Sequence, residues 1–183
     1  MHQMKIAPSG LTTPRLWLRR LLAGDRDVFA ALNADKQVME FFPRPWSFEE
    51  SNAALERIEQ NFQSRGFGIY AVNLQSTMDF VGVVGLSVPS FEAHFTPCVE
   101  ILWRLTPRCW GNGFASEAAA AVLSMAFQIL ALPEIVAFTA INNERSIRVM
   151  EKIGMKRDLE GDFDNPAVME PRLKRHVLYR ATS

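Results

Sequence analysis

The sequence predicts an α/β chain of the α+β mixed-sheet kind, with helices packed on the faces of one sheet. Three observations lead there. Two helical segments come early, three β-branched or aromatic runs then follow one another between residues 69 and 105 on short connections, and from residue 115 onward helical and strand-like segments alternate.

Arg15-Leu16-Trp17-Leu18-Arg19-Arg20-Leu21 alternates and reads as a first strand. Residues 25–38 carry Val28, Phe29 and Leu32 at helical spacing. Ser47-Phe48-Glu49-Glu50 has the form of a capping box, in which each end side chain satisfies an orphan N–H of the helix start; Leu55, Ile58 and Phe62 mark one face of that second helix, and Gly66 is a fitting stop. The runs Ile69-Tyr70-Ala71-Val72, residues 80–85 and residues 99–105 are predicted strands, and their short connections make them an antiparallel meander. Residues 115–130 are Ala-rich and helix-forming, with Val122, Met125, Phe127 and Ile129 able to face a sheet. A strand over 135–140, a helix over 146–153 ended by Gly154, and two strands over 155–160 and 176–181 complete the chain.

At 183 residues, with 48% hydrophobic and 22% charged, the length suits a single domain spanning residues 1–183. Twenty Lys and Arg balance twenty Asp and Glu, so no basic field is present of the sort a nucleic-acid or anionic-membrane partner requires. Cys98 and Cys109 are too few for a disulfide framework and lack zinc-site spacing, so no metal is expected and a cytoplasmic setting fits. The opening Met1-His2-Gln3-Met4-Lys5-Ile6 has no apolar run of signal-peptide type, and no stretch is long and apolar enough to predict a membrane span.

The most informative stretch is 99–116, where a strand runs into the loop Arg108-Cys109-Trp110-Gly111-Asn112-Gly113-Phe114-Ala115 and directly into a long helix. A helix N-terminus offers unpaired N–H groups and partial positive charge to a phosphate. Gly111 and Gly113 let backbone approach a pyrophosphate at positive φ. A Gly-x-Gly pair alone is equally a tight turn, and Arg108 is equally a surface charge.

Arg108-x-x-Gly111-x-Gly113-x-Ala115 resembles the acyl-CoA loop of the GCN5-related N-acetyltransferases (GNAT), and residues 110–118, Trp-Gly-Asn-Gly-Phe-Ala-Ser-Glu-Ala, are similar to the form found in the branch that acetylates ribosomal-protein N-termini. Asn143-Glu144-Arg145-Ser146 through Glu151-Lys152-Ile153-Gly154-Met155 matches a second motif of that branch, 27 residues beyond Ser116. The likeness extends from the opening Leu11-Thr12-Thr13-Pro14-Arg15-Leu16 to the last strand. It implies a strongly twisted sheet that splays open in the middle, with acetyl-CoA as cofactor. The pantetheine arm would pair with the backbone of Leu102, Trp103, Arg104 and Leu105 like a short added strand. Arg108, Gly111, Asn112, Gly113, Phe114, Ala115 and Ser116 would hold its phosphates.

The function implied is transfer of acetyl to a primary amine within a ternary complex, the acceptor being a small molecule or a protein N-terminus; a homodimer is the assembly to expect, though no residue marks an interface. Such transfer needs a neutral amine, a polarised carbonyl and a thiolate that can be protonated. Glu100 could take the ammonium proton through water if alternation points it into the splay; otherwise it is a half-exposed strand glutamate. Ser146 occupies the position whose counterpart lies near the cofactor sulfur, and it is equally a helix N-cap. Asn143 resembles the asparagine that contacts the pantetheine arm, or is a turn residue. His176, on a last strand that packs near the acceptor in this family, is a further base or a buried strand histidine. Phe42 and Trp46, in the loop before the capping box, would meet the acceptor, although a hydrophobic staple also explains Trp46. Asn165 stands where many relatives carry histidine, so no role passes to it.

Two other functions fit parts of the pattern. A dinucleotide-dependent oxidoreductase would need its glycine loop after a first parallel strand, and here the loop follows a meander. A non-catalytic acyl-CoA sensor of the same fold is compatible with every residue named.

Overall fold

The computed structural model describes residues 5–183; residues 1–4, read above for a leader, lie outside the described residues. Strands β1 (Gly10–Thr12) and β2 (Leu16–Arg20) lead through a 3-10 turn into α1 (Arg26–Ala34), and α2 (Phe48–Arg65) follows a turn-rich loop. Next come β3 (Ile69–Leu74), β4 (Phe80–Ser87), β5 (Glu100–Leu105), α3 (Phe114–Gln128), β6 (Glu134–Ala140), α4 (Glu144–Lys152) and β7 (Lys156–Asp164). The single turn α5 (Pro171–Lys174) and β8 (Arg175–Thr182) end the chain.

The eight strands form one open sheet in the order β1-β2-β3-β4-β5-β6-β8-β7. Every pairing is antiparallel except that of β5 with β6. Val81, Val83, Val84 and Leu86 of β4 are all fully buried, which requires cover on both faces of the strand. Ala118, Ala119, Val122 and Met125 of α3 supply it on one side. Phe29 and Leu32 of α1 and Leu55, Ile58 and Phe62 of α2 supply it on the other, Phe62 meeting Tyr70 edge-on with ring centroids 5.2 Å apart. Among the described residues no helix is long and apolar enough to cross a membrane.

The local signals are visible in the result. The Ser47 hydroxyl accepts from the Glu50 N–H at 3.2 Å and the Glu50 carboxylate accepts from the Ser47 N–H at 2.8 Å, while Gly66 closes α2 in the left-handed region. Helix α1 is shorter than its apolar spacing suggests. The Asp35 carboxylate accepts from the N–H groups of Gln37, at 2.7 Å, and Val38, at 3.3 Å, and this side-chain turn displaces the next helical turn. Ile129 is exposed rather than facing the sheet, because α3 ends at Gln128 and Ile129 is its C-cap. The short β1 and α5 have no periodic signal to announce them.

Strands β3 and β4 approach closely at Gly85, where an added Cβ would lie 2.4 Å from the Gly68 carbonyl oxygen and 2.4 Å from the Ile69 Cα. Backbone atoms cannot yield as a flexible side chain can, so Gly85→Ala should cost about 3 kcal/mol in urea unfolding. Gly24→Ala, where a Cβ meets nothing within 4 Å, should stay within about 0.5 kcal/mol of the unchanged protein.

Candidate active site

The site begins where the sheet comes apart. Glu100 faces Val136 as the sole register pair between β5 and β6 among the described residues, supported by the Val136 N–H donating to the Val99 carbonyl at 3.0 Å. From Ile101 to Leu105 the strand keeps its β4 partner and diverges from β6, leaving a free edge. At the end of that edge the Trp110 indole N–H donates to the Leu105 carbonyl at 2.8 Å.

A cavity of about 430 Å³ occupies the divergence. Trp103, Arg104 and Leu105 form its β5 wall; Leu102 does not line it. Gly111, Gly113, Ala115 and Ser116 border it from the glycine loop and the first turn of α3, Asn143 and Ser146 from α4, and Phe41 and Phe42 from the loop between α1 and α2. It therefore joins the α3/α4 face of the sheet to the α1/α2 face.

The glycine loop is shaped for something large to rest on it. Gly111 and Gly113 have φ of 77° and 78°, a region that side chains disfavour. A Cβ on Gly111 would meet nothing within 4 Å, and one on Gly113 would meet only Arg15 Nη2 at 3.6 Å and Lys152 Nζ at 3.7 Å. Gly113 is the N-cap of α3 and supplies no side-chain acceptor, so the first N–H groups of the helix are left to a ligand.

Two cations beside this helix start carried no signal as site residues in the sequence. Arg15 is fixed by Glu117, with Nε donating to Oε2 at 2.7 Å, and its Nη1 donates to the Asn112 carbonyl at 3.0 Å; its guanidinium lies 4.6 Å over the Phe114 ring. Burial pushes the Glu117 carboxyl up, but hydrogen bonds from Thr13 and Arg15 outweigh it, so it lies below the ordinary carboxylate value. Arg108, by contrast, is exposed and turns its Nη2 back to the Phe80 carbonyl at 3.3 Å. Asn112 spends its amide on the carbonyls of Cys109 and Trp110. Neither lines the cavity.

At the α4 wall, Asn143 rather than Ser146 is the N-cap: its Oδ1 accepts from the Ser146 N–H at 3.3 Å. Its Nδ2 donates to Thr139 Oγ1 at 2.8 Å and to Ser146 Oγ at 3.2 Å. The capping alternative for Ser146 is thereby replaced, and its hydroxyl, accepting from Asn143, faces the cavity with its own proton unassigned.

Alternation along β5 puts Glu100, Leu102 and Arg104 on one face, the face on which Arg104 reaches α1. Arg104 is 8% exposed. Its Nη1 donates to Asn33 Oδ1 at 2.7 Å, and its guanidinium lies 4.6 Å from the Trp46 ring, 5.6 Å from Phe42 and 5.8 Å from Phe29. Burial lowers its pKa to about 10, against the pull of Glu100, so it is cationic at neutral pH. Burial pushes the Glu100 carboxyl up to about 7, opposed by the Ser87 hydroxyl directly across on β4 and by Arg104. Glu100 is half-buried and outside the cavity lining, at the apex of the splay. Trp46 also stands outside the lining and reaches the site through Arg104.

His176 is elsewhere. Its Nδ1–H donates to the Lys174 carbonyl at 3.1 Å and its Nε2 accepts from Asn165 Nδ2 at 3.4 Å, a tautomer set by those partners. The ring is 5.5 Å from Phe163 and 6.2 Å from Phe138, and burial lowers its pKa. Cys109 is buried, and the Cys98 thiol is pushed up to about 11, chiefly by burial, so neither resembles an activated nucleophile.

The acetyltransferase (GNAT) domain matches residues 15–156. The uncharacterized N-acetyltransferase YnaD of Bacillus subtilis is 30% identical over 148 residues, covering 81% of this chain and 83% of that protein. An acetyltransferase of Agrobacterium tumefaciens superposes with a TM-score of 0.78 at 24% identity, covering 100% of this chain and 99% of that one. A spermidine N-acetyltransferase of Vibrio cholerae, solved with CoA and spermine, does so with a TM-score of 0.73 at 21% identity, over 93% of this chain and 96% of that one. With the family domain matched over residues 15–156, most of the chain, the protein belongs to the GNAT acetyltransferase family and is an acetyl-transferring enzyme.

Proposed function

We propose that the enzyme moves an acetyl group from acetyl-CoA to a primary amine by direct transfer in a ternary complex, residues 1–183 acting as one domain. The observation that carries this reading is the cavity through the splay, which opens on the glycine loop at one end and on the aromatic loop at the other. The cofactor fits the residues present. The two left-handed glycines would obstruct it if they carried side chains, the uncapped start of α3 offers N–H donors, and Arg15 and Lys152 stand beside Gly113. Gly111, Gly113, Phe114, Ala115 and Ser116 would hold the phosphates, and Asn143 with the free edge of β5 would hold the pantetheine arm. The Vibrio cholerae structural neighbour was solved with CoA on the same fold.

When bound, the thioester supplies an activated acetyl group. The chain's own residues manage protons. Glu100 accepts one from the ammonium form of the acceptor, through water, and a carboxyl near pH 7 suits a base at neutral pH. Ser146 would relay the acceptor nitrogen's second proton, passing its hydroxyl proton to the leaving thiolate as it takes up the one that nitrogen gives up. His176, with both nitrogens engaged and burial favouring the neutral ring, has a packing role. Phe42 frames the acceptor and Trp46 acts by holding Arg104. The acceptor is a small-molecule or protein N-terminal amine, and two free cysteines suit a reducing, cytoplasmic setting.

Thermal unfolding tests the cofactor directly: acetyl-CoA at one hundred times Kd should stabilise the protein by about 2.7 kcal/mol while NADH leaves the midpoint unmoved. Gly113→Ala should cost only about 1 kcal/mol of stability, the strain of a left-handed residue, yet weaken acetyl-CoA binding about tenfold or more. Absence of any acetyl-CoA shift in the unchanged protein sinks the proposal.

Glu100→Gln should lower kcat about a hundredfold and abolish the rise in kcat that the unchanged enzyme shows as pH passes through about 7. Stability should respond with the opposite sense. The carboxyl ionises near 4.5 in the unfolded chain and about 7 in the folded one, so the folded state holds the extra proton between those values and loses stability as pH rises through them. The urea midpoint of Glu100→Gln should therefore gain on the unchanged protein between about pH 5 and about pH 8. A constant difference would contradict the raised pKa.

Ser146→Ala should lower kcat about tenfold with stability within about 0.5 kcal/mol, because Asn143 caps the helix. An undiminished kcat would remove Ser146 from the mechanism.

A further inference from the structure

The acceptor end of the cavity holds a buried cation that no carboxylate among the described residues contacts. Arg104 is more than nine-tenths buried and lines the cavity, yet among the described residues it forms no ion pair within 4 Å. Its neighbours are the neutral Asn33 amide and the rings of Trp46, Phe42 and Phe29. Burying an ion carries a penalty that aromatic faces and one amide offset only in part. Asn33 uses one of the guanidinium's five N–H donors, and a planar donor fork matches a carboxylate in geometry as well as charge. The other charged group on this face of β5 is Glu100, four residues back. At about 3.3 Å per residue that is roughly 13 Å between Cα atoms, and the two charges are near enough to act on one another.

The geometry points to an acceptor that is a small amino carboxylate, of the amino-acid class, whose carboxylate pairs with the Arg104 guanidinium while its amine is turned toward Glu100. A zwitterion lies end for end along these two charges, ammonium to the carboxylate and carboxylate to the guanidinium. A simple polyamine would bring a second cation toward Arg104, and an uncharged amine would leave it unpaired. The inference deepens the acetyl-transfer reading and names the substrate class of that site; Arg104 serves as a binding residue and takes no proton.

The first test needs neither cofactor nor mutation. Thermal unfolding of the unchanged protein is followed with the N-acetyl derivative of each proteinogenic amino acid and with the matching N-acetyl carboxamide, at millimolar concentration. A stabilising shift from at least one carboxylate, absent with its carboxamide, is expected. No shift from any carboxylate, or equal shifts within every pair, overturns the proposal even if acetyl-CoA shifts the protein. A carboxylate-only shift without any acetyl-CoA shift leaves the carboxylate site at Arg104 standing and sinks its use in acetyl transfer.

Turnover gives a second readout, by thiol release from acetyl-CoA. The amino acid should exceed its carboxamide in kcat/KM by about a hundredfold or more, as for a site with a dedicated polar partner. The carboxamide's amine is the less basic, so its intrinsic reactivity runs against this preference. Arg104→Met keeps an apolar filling among the rings and should bring the ratio close to one. Retention of the full ratio in that variant assigns carboxylate recognition to another residue and overturns the role given to Arg104.

Discussion

A strand that parts from its neighbour leaves backbone donors and acceptors without their ladder, and in a buried sheet that loss must be compensated. Strand β5 beyond Glu100 is in this position. Its other edge is fully engaged with β4, and its far end is closed by the Trp110 indole on the Leu105 carbonyl. The cavity, the exposed glycine loop and the placing of Glu100 at the apex all follow from that one divergence. Had β5 and β6 stayed paired along their length, the glycine loop would face a closed sheet and the acceptor face would be cut off from it.

Much of this was legible in the sequence, for reasons that differ by element. Helix α2 announced itself because its cap is chemical: Ser47 and Glu50 satisfy one another's backbone whatever the rest of the chain does. The central strands announced themselves because burial on both faces leaves a continuous apolar record. The glycine loop and the α4 segment were read through family resemblance, and both border the cavity. The end of α1 was misjudged because Asp35 terminates the helix through two side-chain hydrogen bonds that apolar periodicity does not register. Ser146 and Asn143 both suit an N-cap, and only their placement in space decides between them.

The side-chain role of Arg104 was hidden for a deeper reason. In one dimension it is a charged residue in an apolar strand, remarkable only for the backbone on either side of it. Its surroundings come from α1, from the following loop and from Trp46, segments between 58 and 75 positions earlier in the chain, and no local pattern encodes that convergence. Arg15 and Lys152 are similar. They meet beside Gly113 from opposite ends of the chain, and Glu117, which orients Arg15, belongs to a third element. His176 shows the reverse case, a residue conspicuous by type that the fold commits to Lys174, Asn165 and two phenylalanine rings.

Arg145 of α4 joins parts of the molecule that otherwise meet only across the cavity. Its guanidinium lies 4.4 Å over the Trp110 ring of the glycine loop and 5.7 Å from Phe41, and it forms an ion pair with Glu40. The glycine-loop wall and the aromatic-loop wall of the cavity therefore share one side chain as a mechanical tie. The position of one wall is thus registered to that of the other by a single guanidinium, which meets two rings and a carboxylate from two other segments of the chain.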